Sequence, residues 1–232
     1  MNKVSGEFIK VNHLSKQVAS GNSQICILQD VNLTVARGES VAIIGASGSG
    51  KTTLLTLLAG LDLPTSGEIY LRQQLLTALD EEQRALIRRQ EVGFIFQSFQ
   101  LLPTLTALEN VMLPLEIQYV APARARAAAS EWLQRVGLGE RLQHYPATLS
   151  GGEQQRVAIA RAFVSNPKIV FADEMTGNLD THTGEKIADL IFSLNAEQAT
   201  TMVLVTHDVA LAARCQRRLL LQEGKIQDAE HL

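Results

Sequence analysis

The chain has 232 residues, of which 46 % are hydrophobic and 19 % charged. That balance is opposite to a disordered chain's and suffices for one large domain, or for a core carrying an inserted subdomain. Lys+Arg total 21 against 24 Asp+Glu, a net charge of −3, so no overall basic field exists to hold a nucleic-acid backbone and no nucleic-acid partner is expected. Cys26 and Cys215 lie far apart without a C-x-x-C partner, which points to a reducing compartment and to neither a disulfide nor a zinc framework.

No long apolar h-region opens the sequence, so no signal peptide is expected. Apolar runs such as Leu54–Leu61 fall far short of the roughly 18–20 residues a membrane span needs. Work at a membrane would require spans from other chains.

In chain order, Val31, Leu33 and Val35 alternate with Asn32 and Thr34, which predicts a strand with one wet face. Ser40–Ile44 is a continuous apolar run, as expected of a strand buried on both faces. A glycine-rich stretch follows, then an apolar helical segment, Leu54–Ala59. Further strands are predicted at Gly93–Phe96, Ile169–Ala172 and Met202–Val205. Between Ser98 and Ser165 there is little strand character. There Pro122 is placed to open a helix that aligns Ala125, Ala128, Ala129, Trp132, Leu133 and Val136 on one face and ends at Gly137. A second helix is predicted from about Glu153 to Val164, ahead of Asn166-Pro167. Leu219–Ile226 reads as a hairpin turning at Glu223-Gly224. Strands separated by helices predict an α/β fold with a parallel sheet. We expect one domain over 1–232, with 98–165 a helical subdomain and 1–97 plus 166–232 the core.

Gly45-Ala46-Ser47-Gly48-Ser49-Gly50-Lys51-Thr52 stands between a buried strand and a helix, the context that a P-loop requires. Glycines let successive N–H groups point at phosphate oxygens, and the helix adds its N-terminal partial charge. Lys51 supplies a point charge for β- and γ-phosphates, and the Thr52 hydroxyl suits Mg²⁺. Downstream, Asp173-Glu174 ends a buried strand. Asp173 there can hold Mg²⁺, directly or through water, leaving Glu174 to orient and activate a water. Leu149-Ser150-Gly151-Gly152-Glu153-Gln154-Gln155 opens with a capping box, Ser150 and Glu153. Two glycines in the first helical turn cost about 0.8–1 kcal/mol each relative to alanine, and bare backbone there suits the close approach of an anion.

With these motifs on the page, the sequence resembles the ATP-binding-cassette (ABC) ATPases, whose signature is LSGGQ-like. Gln97 resembles the Q-loop glutamine, Gly177-Asn178-Leu179-Asp180 the D-loop and His207 the switch histidine. The resemblance spans nearly the whole chain. It implies a P-loop NTPase core with an N-terminal antiparallel β subdomain and an inserted helical subdomain. It implies ATP and Mg²⁺ held by Gly45, Ala46, Ser47, Gly48, Ser49, Gly50, Lys51, Thr52 and Thr53, with Thr52, Gln97 and Asp173 toward the metal. Glu174, His207 and Gln97 are then catalytic. Ser150, Gly151, Gly152, Glu153 and Gln154 act on the ATP of a second copy, and Asp180 crosses to the opposite site. The segments Gln97–Pro103, Thr106–Val111 and Thr176–Asp180 are similar to the branch of lipoprotein-release and macrolide-export ATPases, closest to YbbA-like bacterial ATPases. That branch implies a homodimer on the cytoplasmic face of the inner membrane, bound to an integral-membrane permease and driving export, extraction or mechanotransmission. Phe99, Leu101, Leu102 and Leu113 are candidate permease-docking residues.

Two positions depart from the family. Val18 stands where an aromatic residue usually stacks on adenine, which predicts weaker binding and poor adenine-versus-guanine discrimination. Met175 replaces the usual proline after Glu174, which would leave Glu174 less firmly positioned. Other readings are a short importer ATPase, a soluble non-transport ABC ATPase, and a regulatory cassette without turnover. Too few residues follow His207 for the regulatory domain of some importers, and neither a heptad insert nor a zinc hook is visible.

Overall fold

A computed structural model describes residues 6–21 and 23–229. In chain order the strands and helices begin with Glu7–Ser20 (β1), Ser23–Ala36 (β2), Ser40–Ile44 (β3), Lys51–Leu58 (α1), Ser66–Leu71 (β4), Gln74–Leu75 (β5) and Glu81–Glu91 (α2). Next come Val92–Ile95 (β6), Ala107–Ile117 (α3), Pro122–Arg135 (α4), Gly151–Phe163 (α5), Ile169–Asp173 (β7) and Thr181–Gln198 (α6). Thr201–Thr206 (β8), Val209–Ala212 (α7), Arg217–Gln222 (β9) and Lys225–Asp228 (β10) follow. The chain forms two compact units. One joins the residues up to Arg88 with those from Thr201 onward, and the other is Arg89–Thr200.

In the first unit, β1 and β2 form a long antiparallel hairpin inside a sheet of order β2-β1-β4-β5. The alternation at Val31–Val35 is the middle of β2: Val31, Leu33 and Val35 are buried, Asn32 and Thr34 exposed. His13 and Asp30 both sit in the left-handed region, at φ 50° and 49°. They join across the hairpin through His13 Nδ1 and Asp30 Oδ1, 2.7 Å apart. A second set runs β10-β9-β3-β8, with β9, β3 and β8 parallel and β10 antiparallel to β9. Every residue of β3 and β8 is buried, as continuous apolar runs covered on both faces demand. The predicted hairpin turn at Glu223-Gly224 docks on β2, where the Gln29 N–H donates to the Gly224 carbonyl at 2.8 Å.

In the second unit, β6 and β7 pair in parallel, and the Phe94 ring stacks on Phe96 at 5.4 Å and on Phe171 at 5.8 Å. Residues 98–165 carry no strand. Helix α3 opens with a capping box formed by Thr106 and Glu109. Helix α4 opens at Pro122 as predicted and buries Ala125, Ala129, Trp132 and Leu133. Helix α5 starts at Gly151, where the Ser150–Glu153 capping box predicts, two residues before the approximate start at Glu153. The buried Asn110 amide donates to the Leu102, Leu105 and Thr106 carbonyls at 3.0–3.1 Å, while its oxygen accepts from the Leu102 N–H at 2.8 Å. Those bonds hold the loop before α3 in one shape.

Candidate nucleotide site

In the first unit β3 ends at Ile44 and the chain curls into α1. Gly50 is the N-cap, at φ 99°, a left-handed conformation that a side chain would strain. No side chain caps α1 and no acidic residue lies in its first turn, so its N-terminal partial charge is not offset by a side chain. Lys51, only 6 % exposed, lies back over the curl. Its Nζ donates to the carbonyls of Gly45 at 3.0 Å and Ala46 at 2.9 Å. The Ser49 hydroxyl is buried and has no hydrogen-bond partner among the described residues. Ala46, Ser47, Gly48 and Thr52 are exposed, and Thr53 is half-buried in the first turn. The curl thus presents amides, hydroxyls and an ammonium with no carboxylate among them, a donor set that fits a polyphosphate.

Strand β8 runs parallel to β3 with Thr206 opposite Ile44, so Gly45 and His207 follow the ends of neighbouring strands. His207 is exposed. Asp208 beside it caps α7 by accepting from Ala210 N–H at 2.8 Å and Leu211 N–H at 3.1 Å. On the hairpin, Val18 pairs with Ile25, and they are 37 % and 51 % exposed.

The second unit gathers the remaining motifs. Ile95 of β6 lies opposite Ala172 of β7, which puts Gln97 and Asp173-Glu174 just past adjacent strand ends. The Asn178 amide donates to the Gln97 carbonyl at 2.8 Å, and the Gly177 N–H donates to the Glu174 carbonyl at 2.9 Å. Asp173 and Glu174 are half-buried. Glu174 takes φ 42°, a sparsely populated conformation for a residue with a side chain. Met175 is 1 % exposed, and its carbonyl accepts from the buried Gln155 amide at 2.7 Å. Met175 is therefore held by packing and by a hydrogen bond. Gln155 belongs to the buried stripe of α5 with Ile159 and Ala162. A glutamine at that helical spacing is the sequence signal that the motif reading passed over.

At the start of α5 the Ser150 N–H and hydroxyl both donate to Glu153 Oε2 at 2.8 Å, and the Glu153 N–H donates back to Ser150 Oγ at 3.3 Å. Arg141 Nε donates to the other Glu153 oxygen at 3.2 Å. These bonds hold the Glu153 carboxyl below the usual carboxylate range, the Ser150 backbone N–H foremost. The Glu153 carboxylate is thus engaged within its own chain. Gln154 donates to the Leu149 carbonyl at 3.0 Å. Gly152 has a packing reason of its own, because a Cβ there would lie 2.6 Å from Thr183 Cγ2. Asp180 caps α6 by accepting from the Thr183 N–H at 3.0 Å. A hydrogen bond from the Thr183 side chain, and after it the one from the Thr183 N–H, lower its carboxyl pKa. The signature turn and the D-loop turn are thus packed against each other.

A fully buried parallel strand, a glycine-rich curl and a lysine folded over an uncapped helix define a P-loop nucleotide-binding protein of the α/β class. Residues 28–177 match the ABC transporter family. The chain belongs to that family and is an ABC-type ATPase, the ATP-binding subunit of a transporter. It is 56 % identical over 220 residues to the Escherichia coli K12 protein named "Uncharacterized ABC transporter ATP-binding protein YbbA", covering 95 % of this chain and 96 % of that one. It is 48 % identical to the lipoprotein-releasing system ATP-binding protein LolD of Xanthomonas axonopodis pv. citri (strain 306), covering 95 % of this chain and 90 % of that one. Among solved structures it resembles the dimeric post-hydrolysis state of the ATP-binding cassette MJ0796 bound to ADP and Pi. The TM-score is 0.88 at 42 % identity, covering 97 % of this chain and 100 % of that one. Among the described residues, no helix is long and apolar enough to cross a membrane.

Proposed function

We propose that this chain pairs with a second copy of itself around two MgATP and drives a separate membrane permease from the cytoplasmic face, in export, extraction or mechanotransmission. The observation that carries the reading is the Gly45–Thr53 curl: an uncapped helix start, the orphaned Ser49 hydroxyl and Lys51 spanning the loop. Lys51 transfers its donors from the loop carbonyls to the β- and γ-phosphates. The Thr52 hydroxyl, the Asp173 carboxylate and the Gln97 amide are hard oxygen donors of the kind that Mg²⁺ takes. The metal, when bound, neutralises charge on the phosphate oxygens. Glu174 accepts the proton of the attacking water, and His207 and Gln97 orient the reacting groups. Gly151 and Gly152 bring the amide end of α5 to the terminal phosphate held by the partner copy.

The permease and the branch of the family rest on the relatives' names, and the dimer on the dimeric solved neighbour. The segment from Ser98 to Leu115 and the helices after it carry the motion to the permease. The test is Glu174→Gln. With MgATP this variant is expected to run as a dimer by light scattering while turnover falls to background. Turnover at the wild-type rate would remove Glu174 from its role, and a monomer under saturating MgATP would remove the dimer.

A further inference from the structure

We propose that Arg161, on signature helix α5, is a positioning residue that fixes the Q-loop turn and so acts on hydrolysis through Gln97. The turn after Gln97 is strained. Phe99 and Gln100 are consecutive non-glycine residues in the left-handed region, at φ 59° and 47°. Such a pair persists only where its surroundings over-determine it. Arg161 supplies that restraint: one guanidinium nitrogen donates to the Phe99 carbonyl at 2.8 Å and the other to the Gln100 carbonyl at 2.6 Å. A planar fork that grips two adjacent carbonyls sets direction as well as distance, which a lysine cannot do. Among the described residues no carboxylate pairs with this guanidinium, so its donors serve the turn. Burial lowers its pKa from the ordinary arginine value, as for a charge placed for what it holds and not for solvation.

The same helix starts at Ser150 and the signature glycines. Eleven helical steps separate Ser150 from Arg161, about 16 Å of rise. A displacement of the signature end therefore reaches the Phe99-Gln100 turn through one rod. Asn178 holds Gln97 from the other side through its carbonyl. Gln97 is thus positioned between a signature-helix clamp and a D-loop clamp. A cavity of about 210 Å³ lined by Phe94, Phe96, Pro114 and Arg161 lies beside the guanidinium. It leaves room for a small planar cation to stand in for the side chain.

This inference rests on the reading of Gln97 as a catalytic group, and the experiment separates the two. Steady-state ATPase kinetics are measured on the full-length chain, Gln97→Ala, Arg161→Ala, Arg161→Lys and the Gln97→Ala/Arg161→Ala double variant. Arg161→Ala is expected to lower kcat by roughly tenfold to a hundredfold, the range for a misplaced catalytic group, with KM for ATP little changed. The double variant should be no slower than Gln97→Ala alone, because both changes remove one device. Arg161→Lys should recover only part of the loss. Guanidinium chloride at low millimolar concentration should raise the rate of Arg161→Ala and not that of Gln97→Ala. If Gln97→Ala keeps wild-type kcat, the reading of Gln97 fails. The clamp is overturned if Gln97→Ala is impaired but Arg161→Ala turns over normally, or if the two losses multiply. If Arg161→Ala does not fold, Arg161→Lys carries the test, and wild-type kcat in that variant overturns the clamp.

Discussion

The wholly buried Gln155 side chain donates to the Met175 carbonyl at 2.7 Å and thereby anchors the backbone immediately after Glu174. Its own amide oxygen is buried and has no partner among the described residues. Gln155→Leu removes that orphan and creates another at Met175, so the two desolvation costs oppose. The net stability change should stay under about 2 kcal/mol. Turnover should fall several-fold, because Glu174 sits in a strained conformation that the anchor sustains. Urea unfolding and ATPase rate measured on one preparation check both halves; an unchanged rate removes Gln155 from the device.

Val18 and Ile25 face each other across the β1–β2 hairpin, both substantially exposed. Ile27, two residues along the strand, would touch a Cβ placed on Gly50 at 3.0 Å. Ile25 thus lies two residues along β2 from a side chain that abuts the phosphate curl. Val18→Tyr adds a stacking face worth about 1–3 kcal/mol, so the Kd for ATP should drop at least about fivefold. Equilibrium titration with a fluorescent ATP analogue measures it, and an unchanged Kd excludes a base platform at this place.

Acid should weaken both capping boxes. Thr106 lowers the Glu109 carboxyl pKa through its backbone and side-chain hydrogen bonds, and Ser150 does the same for Glu153. A carboxylate depressed in the folded state adds stability above its unfolded pKa, about 4.3, and loses it as pH falls through the lower folded value. Glu153→Gln keeps the hydrogen-bonding shape and discards the proton linkage. Its unfolding free energy should slope less steeply with pH than wild type below about pH 5. Parallel slopes in urea melts across that range would contradict the linkage.

Leu102 is 46 % exposed, whereas Phe99, Leu101 and Leu113 are half-buried. Its main chain is pinned at both N–H and C=O by Asn110, so a change of side chain leaves the loop intact. Leu102→Asp is expected to weaken capture of the permease while the ATPase activity of the isolated chain stays within about twofold, as for an exposed position away from the chemistry. Loss of both together would mark Leu102 as part of the fold.

Much of the site was legible because its physics is local. A buried strand, glycines, a lysine and an apolar helix lie within twenty residues of sequence, and β3 through α1 form as that order dictates. The Ser150–Glu153 cap was legible for the same reason. Gln155 and Arg161 were not, since their partners at Met175 and at Phe99-Gln100 are distant in sequence. Helical spacing marks Gln155 as buried, but an amide or guanidinium reaching a main-chain carbonyl leaves no signature of its partner. The paired left-handed residues His13 and Asp30 were equally hidden, because nothing local requires them. Gly152 looked purposeful only for anion approach until Thr183 was seen to fill the space that a Cβ would need.

The phosphate curl follows β3, and β3 is flanked by β8 and β9. Both neighbours are translated more than a hundred residues after it. During synthesis, Arg89–Thr200 leaves the ribosome complete while β3 still lacks its companions. Non-local pairing of this kind forms late, since a long loop must close first. A nascent chain would thus lack the sheet that frames the curl until β8 and β9 emerge, and fragments stalled before them would carry the signature helix without that frame.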